Sequence, residues 1–91
     1  MGLTLSKTLV FNNPLGMHLR PASRLVKTAM GFSSQVNISN GDRSCNAKSI
    51  IGLMTLEAMP GDSLVIEIDG DDAVATMAAI EALFACNFED D

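Results

Sequence analysis

The sequence predicts an α+β fold in which one four-stranded antiparallel sheet is covered on one face by three helices. Three observations predict it. Short segments alternate apolar and polar residues, as half-buried strands do, and longer segments repeat apolar residues at helical spacing. An Asn40-Gly41 pair joins two strand-like segments as a tight hairpin turn. The elements follow the order β-α-β-β-α-β-α, and the 91 residues are expected to form one domain over 1–91.

The first strand and the first helix lie in the N-terminal third of the chain. Apolar residues that alternate with polar ones mark the strand: Leu3, Leu5, Leu9 and Phe11. Residues 13–16 then have the composition of a β-turn. The helix is predicted to begin between Leu19 and Pro21, because proline suits a first helical turn, and to close at Gly31. Its predicted buried stripe is Ala22, Leu25, Val26, Ala29 and Met30.

The middle of the chain is predicted to form a hairpin followed by a short helix. Residues 35–39 and 43–47 are the two strands of the hairpin. Ser49 is a good N-cap for an apolar helix over residues 50–54 or 50–56, because a serine side chain accepts a hydrogen bond from the first turn of a helix.

The C-terminal third is predicted to hold a turn, a strand and a helix. Residues 60–62, Pro-Gly-Asp, turn the chain. One face of the strand that follows presents Leu64, Ile66 and Ile68. Asp71-Asp72 open the last helix, whose predicted apolar stripe is Val74, Met77, Ile80 and Phe84. The acidic residues 89–91 are expected to fray.

One segment, Gly16-Met17-His18-Leu19-Arg20-Pro21-Ala22, places the chain's one histidine beside an arginine where a turn becomes a helix. His18 is expected at about the N-cap position. The first N–H groups of a helix lack intrahelical partners and its dipole favours anions, so the backbone of Leu19, Arg20 and Ala22 is expected to hold a phosphoryl group. The imidazole can accept and release such a group near neutral pH, and the Arg20 guanidinium can clamp its oxygens.

The same residues allow a simpler interpretation. A histidine at the start of a helix can be a cap without chemistry, and an arginine nearby can be a solvated charge. The chain would then be a small-molecule-binding module of another α+β fold, and a pocket would distinguish such a module. The spacing alone leaves both interpretations open.

The segment around His18 is similar to the active-site signature of the HPr family, the histidine-containing phosphocarriers of the bacterial phosphoenolpyruvate-dependent sugar phosphotransferase system. A second segment, Asn46-Ala47-Lys48-Ser49-Ile50-Ile51-Gly52-Leu53-Met54-Thr55-Leu56, resembles the regulatory-serine segment of the same family. The two segments occur in the family's order, and the resemblance extends over almost all of the chain. One departure is Leu19, where the family often has alanine.

The resemblance implies both a fold and a function. The fold is an open-faced β-sandwich. The function is that of a carrier rather than an enzyme, in which His18 accepts a phosphoryl group from Enzyme I and passes it to IIA proteins or domains, with Arg20 assisting. The resemblance also implies that Ser49 can be phosphorylated by a dedicated kinase, the HPr kinase/phosphorylase, which slows transfer at the histidine and recruits a transcriptional regulator. It implies no cofactor.

Two related functions stay open beside this one. A nitrogen-branch phosphocarrier has the same chemistry but serves regulation instead of sugar uptake. A regulatory interaction protein would act mainly through Ser49, although the presence of His18 with Arg20 argues against an exclusively regulatory role.

An apolar patch with a basic rim is expected beside the histidine. The short second helix has too many apolar residues to bury on one stripe, so some of them should be exposed. Methionine side chains adapt to different partner surfaces, and a basic rim steers acidic partners. The resemblance places the docking of Enzyme I and of IIA domains on this patch, which comprises Met17, Leu19, Arg24, Lys27, Lys48, Ile50, Ile51 and Met54.

The composition narrows the classes of function. The net charge is −5, and all six basic residues precede Ser49, whereas ten of the eleven acidic residues follow it. The acidic total and the lack of Tyr and Trp argue against nucleic-acid binding. A single histidine and two separated cysteines, Cys45 and Cys86, argue against a metal site or a disulfide. Without a membrane-length apolar run or a signal peptide, the chain is expected to be cytoplasmic, and a monomer would best serve serial docking.

Overall fold

Seven elements follow one another in the predicted order. The computed structural model describes residues 2–88, so the expected fraying of residues 89–91 lies outside the described part of the chain. The strands and helices are β1 (Leu3–Val10), α1 (Leu19–Met30), β2 (Gln35–Asn40), β3 (Arg43–Asn46), α2 (Ile50–Thr55), β4 (Ser63–Gly70) and α3 (Ala73–Ala85). No helix among residues 2–88 combines the length and the apolarity needed to cross a membrane.

The four strands form one antiparallel sheet in the order β1-β4-β2-β3. Alternation along β4 separates its two faces, because every second residue is exposed while Leu64, Ile66 and Ile68 are fully buried beneath the helices. The hairpin turn is Gly41-Asp42 and not Asn40-Gly41, since Asn40 still pairs with Arg43 and Gly41 takes the left-handed conformation (φ 64°).

The helices pack on the buried face of the sheet. From α1 and α3 the fully or almost fully buried apolar side chains are Ala22, Leu25, Ala29, Ala73, Met77, Ile80 and Phe84. Three phenylalanine rings cluster at one end of this core. The Phe88 ring centroid lies 5.4 Å from that of Phe11 and 4.8 Å from that of Phe84. This cluster joins the end of β1 to the segment that follows α3.

Two residues predicted to be buried are exposed. Met30 is 63% exposed and Val74 is 64% exposed. Each follows a buried alanine, Ala29 in α1 and Ala73 in α3, and one residue further along a helix is a rotation of about 100°. The predicted buried stripe was therefore wrong at the C-terminal end of α1 and at the N-terminal end of α3, where it included a residue that lies on the exposed side.

Asp72 is the N-cap of α3, as predicted, and it also holds the loop between α1 and β2. Its carboxylate accepts hydrogen bonds from the N–H groups of Ser33 (2.8 Å) and Ser34 (2.9 Å) and from both serine hydroxyls. These donors, the Ser34 hydroxyl first, lower the pKa of Asp72 to about 2. The carboxylate of the α3 N-cap residue thus ties the loop before β2 to the start of α3.

Candidate functional site

A β-turn that ends at Gly16 leads into α1. The Gly16 N–H donates to the Asn13 carbonyl oxygen (3.0 Å), and the Leu15 N–H donates to Asn13 Oδ1 (3.1 Å). Gly16 has a φ of 76°, and a β-carbon there would lie 3.0 Å from the carbonyl oxygen of Ala58. The same oxygen accepts the N–H of Met17 (3.0 Å). Glycine at this position therefore lets the turn be held against the loop that precedes β4.

His18 is the N-cap residue of α1, as predicted. Its backbone is extended (φ −104°, ψ −170°), its N–H donates to the Gly16 carbonyl oxygen (3.0 Å), and its side chain makes no capping hydrogen bond. An N-cap side chain commonly accepts the second or third N–H of the helix, and Pro21, at the third position, has none. The imidazole is partly exposed. The ring therefore does not cap the helix through a side-chain hydrogen bond.

The first turn of α1 offers two backbone donors to an anion and not three. The sequence predicts Ala22 as a third donor, but its N–H makes the first intrahelical hydrogen bond, to the His18 carbonyl oxygen (3.1 Å). Pro21 has no N–H to offer. The N–H groups of Leu19 and Arg20 come before that first bond, at the positive end of the helix dipole.

Basic side chains of α1 surround the histidine. A depression of about 650 Å³ is lined by His18, Leu19, Arg20, Ser23, Arg24 and Lys27. A second depression, of about 410 Å³, shares His18, Arg20 and Arg24 and is also lined by Asn13, Pro14, Leu15 and Phe88. The fold thus brings four predicted site residues to His18: Leu19, Arg20, Arg24 and Lys27. An anion at the imidazole would lie among positive charges from one helix face.

Sequence reasoning missed five residues that line these depressions: Asn13, Pro14, Leu15, Ser23 and Phe88. Asn13 had a visible signal, because an asparagine that opens a turn commonly bonds the backbone two residues on. Phe88 had none, because it follows α3 at the other end of the chain and only the folded core brings it to His18.

Ser49 is the N-cap of α2, as predicted. Its Oγ accepts a hydrogen bond from the Gly52 N–H (3.0 Å), and the residue is exposed. A β-carbon at Gly52 would lie 3.0 Å from Cβ of Cys45, so a close approach by β3 explains a glycine inside this helix. The Ser49 hydroxyl is therefore both a cap and accessible at the surface.

Three of the apolar residues predicted for docking are exposed: Ile51 at 78%, Leu19 at 59% and Met54 at 43%. The neighbouring Leu53 and Leu56 are buried, as expected for a helix with too many apolar residues for one stripe. Among the remaining candidates Lys27 is exposed, whereas Arg24 and Ile50 are half-buried.

Two candidates differ from the prediction. Met17 is only 7% exposed and belongs to the core, because its N–H is tied to the Ala58 carbonyl and its flexible side chain fills space inside the fold. Lys48 is half-buried, and its Nζ donates to the Phe32 carbonyl oxygen (3.1 Å). Met17 is thus excluded from the exposed patch, and Lys48 serves in part to join the turn before α2 to the segment after α1.

The two cysteines are free thiols. Cys45 is half-buried, and burial raises the pKa of its thiol, whereas Cys86 is exposed. Within residues 2–88 no group of three or more His, Cys, Asp and Glu side chains is placed to hold a metal ion.

Known proteins resemble this chain along most of its length. The family model described as PTS HPr component phosphorylation site matches residues 5–85. The phosphocarrier protein HPr of Xylella fastidiosa (strain 9a5c) is 39% identical over 87 residues, which are 96% of this chain and 98% of that protein. The phosphocarrier protein NPr of Escherichia coli (strain K12) is 33% identical over 90 residues, 98% of this chain and 100% of that protein.

A solved structure shows the same architecture. The crystal structure of HPr-C-His from Thermoanaerobacter tengcongensis superposes with a TM-score of 0.89 at 33% identity, and the match covers 96% of this chain and 98% of that one. The superposition confirms the predicted open-faced sandwich of a four-stranded antiparallel sheet and three helices.

Proposed function

The chain belongs to the HPr family of phosphocarriers of the phosphotransferase system, and on that premise we propose that His18 accepts and releases the phosphoryl group. The observation that supports this most is an N-cap imidazole that makes no capping hydrogen bond and is partly exposed. A ring nitrogen attacks the phosphorus of the phosphorylated donor, which releases the group to His18. The new phosphorus–nitrogen bond breaks when an acceptor takes the group.

Arg20 and the start of α1 hold the phosphoryl group while it is on His18. The N–H groups of Leu19 and Arg20 precede the first intrahelical bond, so they can donate to phosphoryl oxygens. The Arg20 guanidinium lines both depressions beside the imidazole and adds charge-assisted hydrogen bonds. The chain acts as a carrier and turns over no substrate of its own.

The donor in this proposal is Enzyme I, and the acceptors are IIA proteins or domains. Exposed Leu19, Ile51 and Met54 form an apolar docking surface, and Arg24 and Lys27 supply positive charge beside it. Flexible and exposed apolar side chains suit two partners that bind in turn. We propose that the carrier works as a cytoplasmic monomer, the state in which serial docking is simplest.

Ser49 is a second site in this proposal. A phosphate there would stand at the N-terminus of α2, where the dipole favours a dianion, and would add about two negative charges to the docking surface. Such a change would slow transfer to His18 by opposing acidic partners. The HPr kinase/phosphorylase would supply the phosphate, and a transcriptional regulator would read it.

Intact-mass spectrometry tests the assignment of His18. The protein is incubated with phosphoenolpyruvate and Enzyme I, measured at neutral or alkaline pH, and measured again after brief acid treatment. We expect a gain of one phosphoryl group that acid removes, because phosphohistidine hydrolyses in acid and phosphoserine does not. The gain should vanish in folded His18→Ala.

Ser49→Ala is the matched control for that measurement. It should keep the acid-labile gain and lose any acid-stable gain produced by an HPr kinase. Labelling of His18→Ala by Enzyme I would contradict the assignment. No labelling of the unchanged protein by active Enzyme I would favour a regulatory role centred on Ser49.

A nitrogen-branch role is the second candidate. It is favoured by the match to the E. coli phosphocarrier protein NPr, which covers that protein fully at 33% identity. The two roles predict different donors. Faster phosphorylation by a sugar-branch Enzyme I than by a nitrogen-branch counterpart would support the sugar system, and the reverse order would support the nitrogen branch.

A further inference from the structure

Asn13 joins the turn before His18 to the segment that follows α3. Its Nδ2 donates to the carbonyl oxygen of Asn87 (3.2 Å), and its Oδ1 accepts the N–H of Leu15 (3.1 Å). One side-chain amide therefore shapes the turn and also ties it to a residue 74 positions away in the sequence.

The Asn87 carbonyl is held in place by a left-handed turn. Asn87 and Phe88 have φ values of 57° and 64°, and the Phe88 N–H donates to the Leu83 carbonyl oxygen (2.9 Å). Asparagine adopts this conformation readily, but a bulky residue such as phenylalanine does so only when its surroundings require it. The Phe88 ring is 2% exposed and packs against Phe11 and Phe84. Burial of that ring therefore fixes the acceptor of the Asn13 hydrogen bond.

The tethered segments meet at the candidate site. Asn13 and Phe88 line the same depression as His18 and Arg20. On the other side of the turn, Met17 is held by the Ala58 carbonyl. The turn is thus fixed at both of its ends. We call the bond from Asn13 to the Asn87 carbonyl the tether; without it, the first end of the turn would be held only by its connection to β1.

We infer that Asn13 is a positioning residue for phosphoryl transfer, because its bond to the Asn87 carbonyl fixes the turn that presents His18. This inference rests on the proposed function of His18. It predicts that the hydrogen bond within the turn, from the Leu15 N–H to Asn13, is not enough to hold His18 in the position that transfer requires. A reacting atom displaced by a fraction of an ångström loses rate even when the fold persists.

Two substitutions separate the tether from the turn. Asn13→Ala removes both hydrogen bonds. Asn13→Ser keeps an oxygen that can accept the Leu15 N–H, as serine turns do, but is too short to reach Asn87 and adds no charge. The control is Asn12→Ala, at the exposed neighbouring position, whose side chain does not line either depression.

On each protein we measure the rate of phosphorylation by phosphorylated Enzyme I, and the NMR signals of the His18 ring across a pH titration. Both measurements are made under conditions in which unfolding curves show that the protein is folded. We expect both Asn13 variants to be slowed at least about threefold and to have altered His18 ring signals. Asn12→Ala should match the unchanged protein in both. The ring signals distinguish positioning from stability, because a general loss of stability leaves the signals of the folded molecules unchanged.

A wild-type rate and unchanged His18 signals in folded Asn13→Ser would overturn the inference, since the bond within the turn would then suffice. If Asn13→Ala does not fold, Asn13→Ser decides alone. If the unchanged protein accepts no phosphoryl group, the proposed function fails separately, and the His18 signals of the variants still decide whether Asn13 positions the ring.

Discussion

A serine or aspartate at the N-cap of α1 would have accepted a hydrogen bond from the first turn and so occupied a donor that an anion needs. His18 holds that position without a capping bond, and Pro21 supplies no N–H. The missing cap costs the helix about 1 kcal/mol relative to a good N-cap residue. Local stability is thus lower at the point where the proposed chemistry occurs.

Among single residues, Arg20 allows a direct test of the proposed site. Arg20→Ala should slow phosphoryl transfer to His18 by about tenfold or more, because a hydrogen bond to a charged group contributes about 1.5 kcal/mol or more. Arg20→Lys should recover only part of the rate, since an ammonium lacks the planar fork of the guanidinium. Rapid-quench measurement of phosphohistidine formation checks both.

Arg43→Ala is the matched control, because Arg43 pairs with Glu57 (3.3 Å) and lines neither depression. Equal rates for Arg20→Ala and Arg43→Ala would remove Arg20 from the proposed site.

Elements were predictable where neighbours in the sequence decide them. The Ser49 cap and the alternation along β4 both follow from spacing within a few residues. Features that depend on a distant partner were not predictable. Met17 is buried because Ala58 binds its backbone, and the hairpin turn is displaced by one residue because Asn40 stays in the ladder.

The same division applies to the candidate site. The sequence brought His18, Arg20 and the helix start together, because they are adjacent in the chain. It could not bring Phe88, which reaches the site through the aromatic core. The bond from the Ala22 N–H to the His18 carbonyl spans only four residues, so it was predictable once His18 was taken as the N-cap.

Asp72 allows a test of how the junction at the start of α3 depends on pH. Its pKa in the folded protein is about 2, below the ordinary 3.8. The ionised carboxylate therefore stabilises the fold fully at pH values above the ordinary pKa. That contribution should be lost as the pH falls from about 4 to about 2. We expect urea midpoints to fall over this range, and the fall should be smaller in Asp72→Asn, which should be less stable at neutral pH.

Ser33→Ala is a partial control, because it removes one hydroxyl donor and keeps both N–H donors to Asp72. It should lower the midpoints less than Asp72→Asn does. A pH dependence of equal size in Asp72→Asn and the unchanged protein would assign the acid sensitivity to other carboxylates.

Charge is segregated across the whole molecule. The basic residues Arg20, Arg24 and Lys27 lie on one helix and line the depression at His18, whereas exposed Glu67 and Asp69 lie on β4. A protein with a net charge of −5 therefore presents a positive surface at its proposed docking side. Such a field speeds encounter with acidic partners.

We expect the second-order rate of phosphorylation by Enzyme I to fall with added salt, because the screening length shortens from about 10 Å at about 0.1 M to about 3 Å at about 1 M. Lys27→Gln should reduce the dependence on salt. Lys7→Gln should have little effect on it, because Lys7 pairs with Glu81 (2.8 Å) away from both depressions. A rate independent of salt would mean that charge does not guide docking.

The contact between Asn13 and Asn87 also bears on how the protein is made. His18 is translated well before Phe88, and the local bonds of its turn and helix need only neighbouring residues. The wall formed by Phe88 and the acceptor for Asn13 are translated some seventy positions later, as the separation of 74 between the two asparagines requires. A nascent chain therefore contains the histidine long before it contains the acceptor of the Asn13 bond, and the proposed site is complete only when synthesis has passed Phe88.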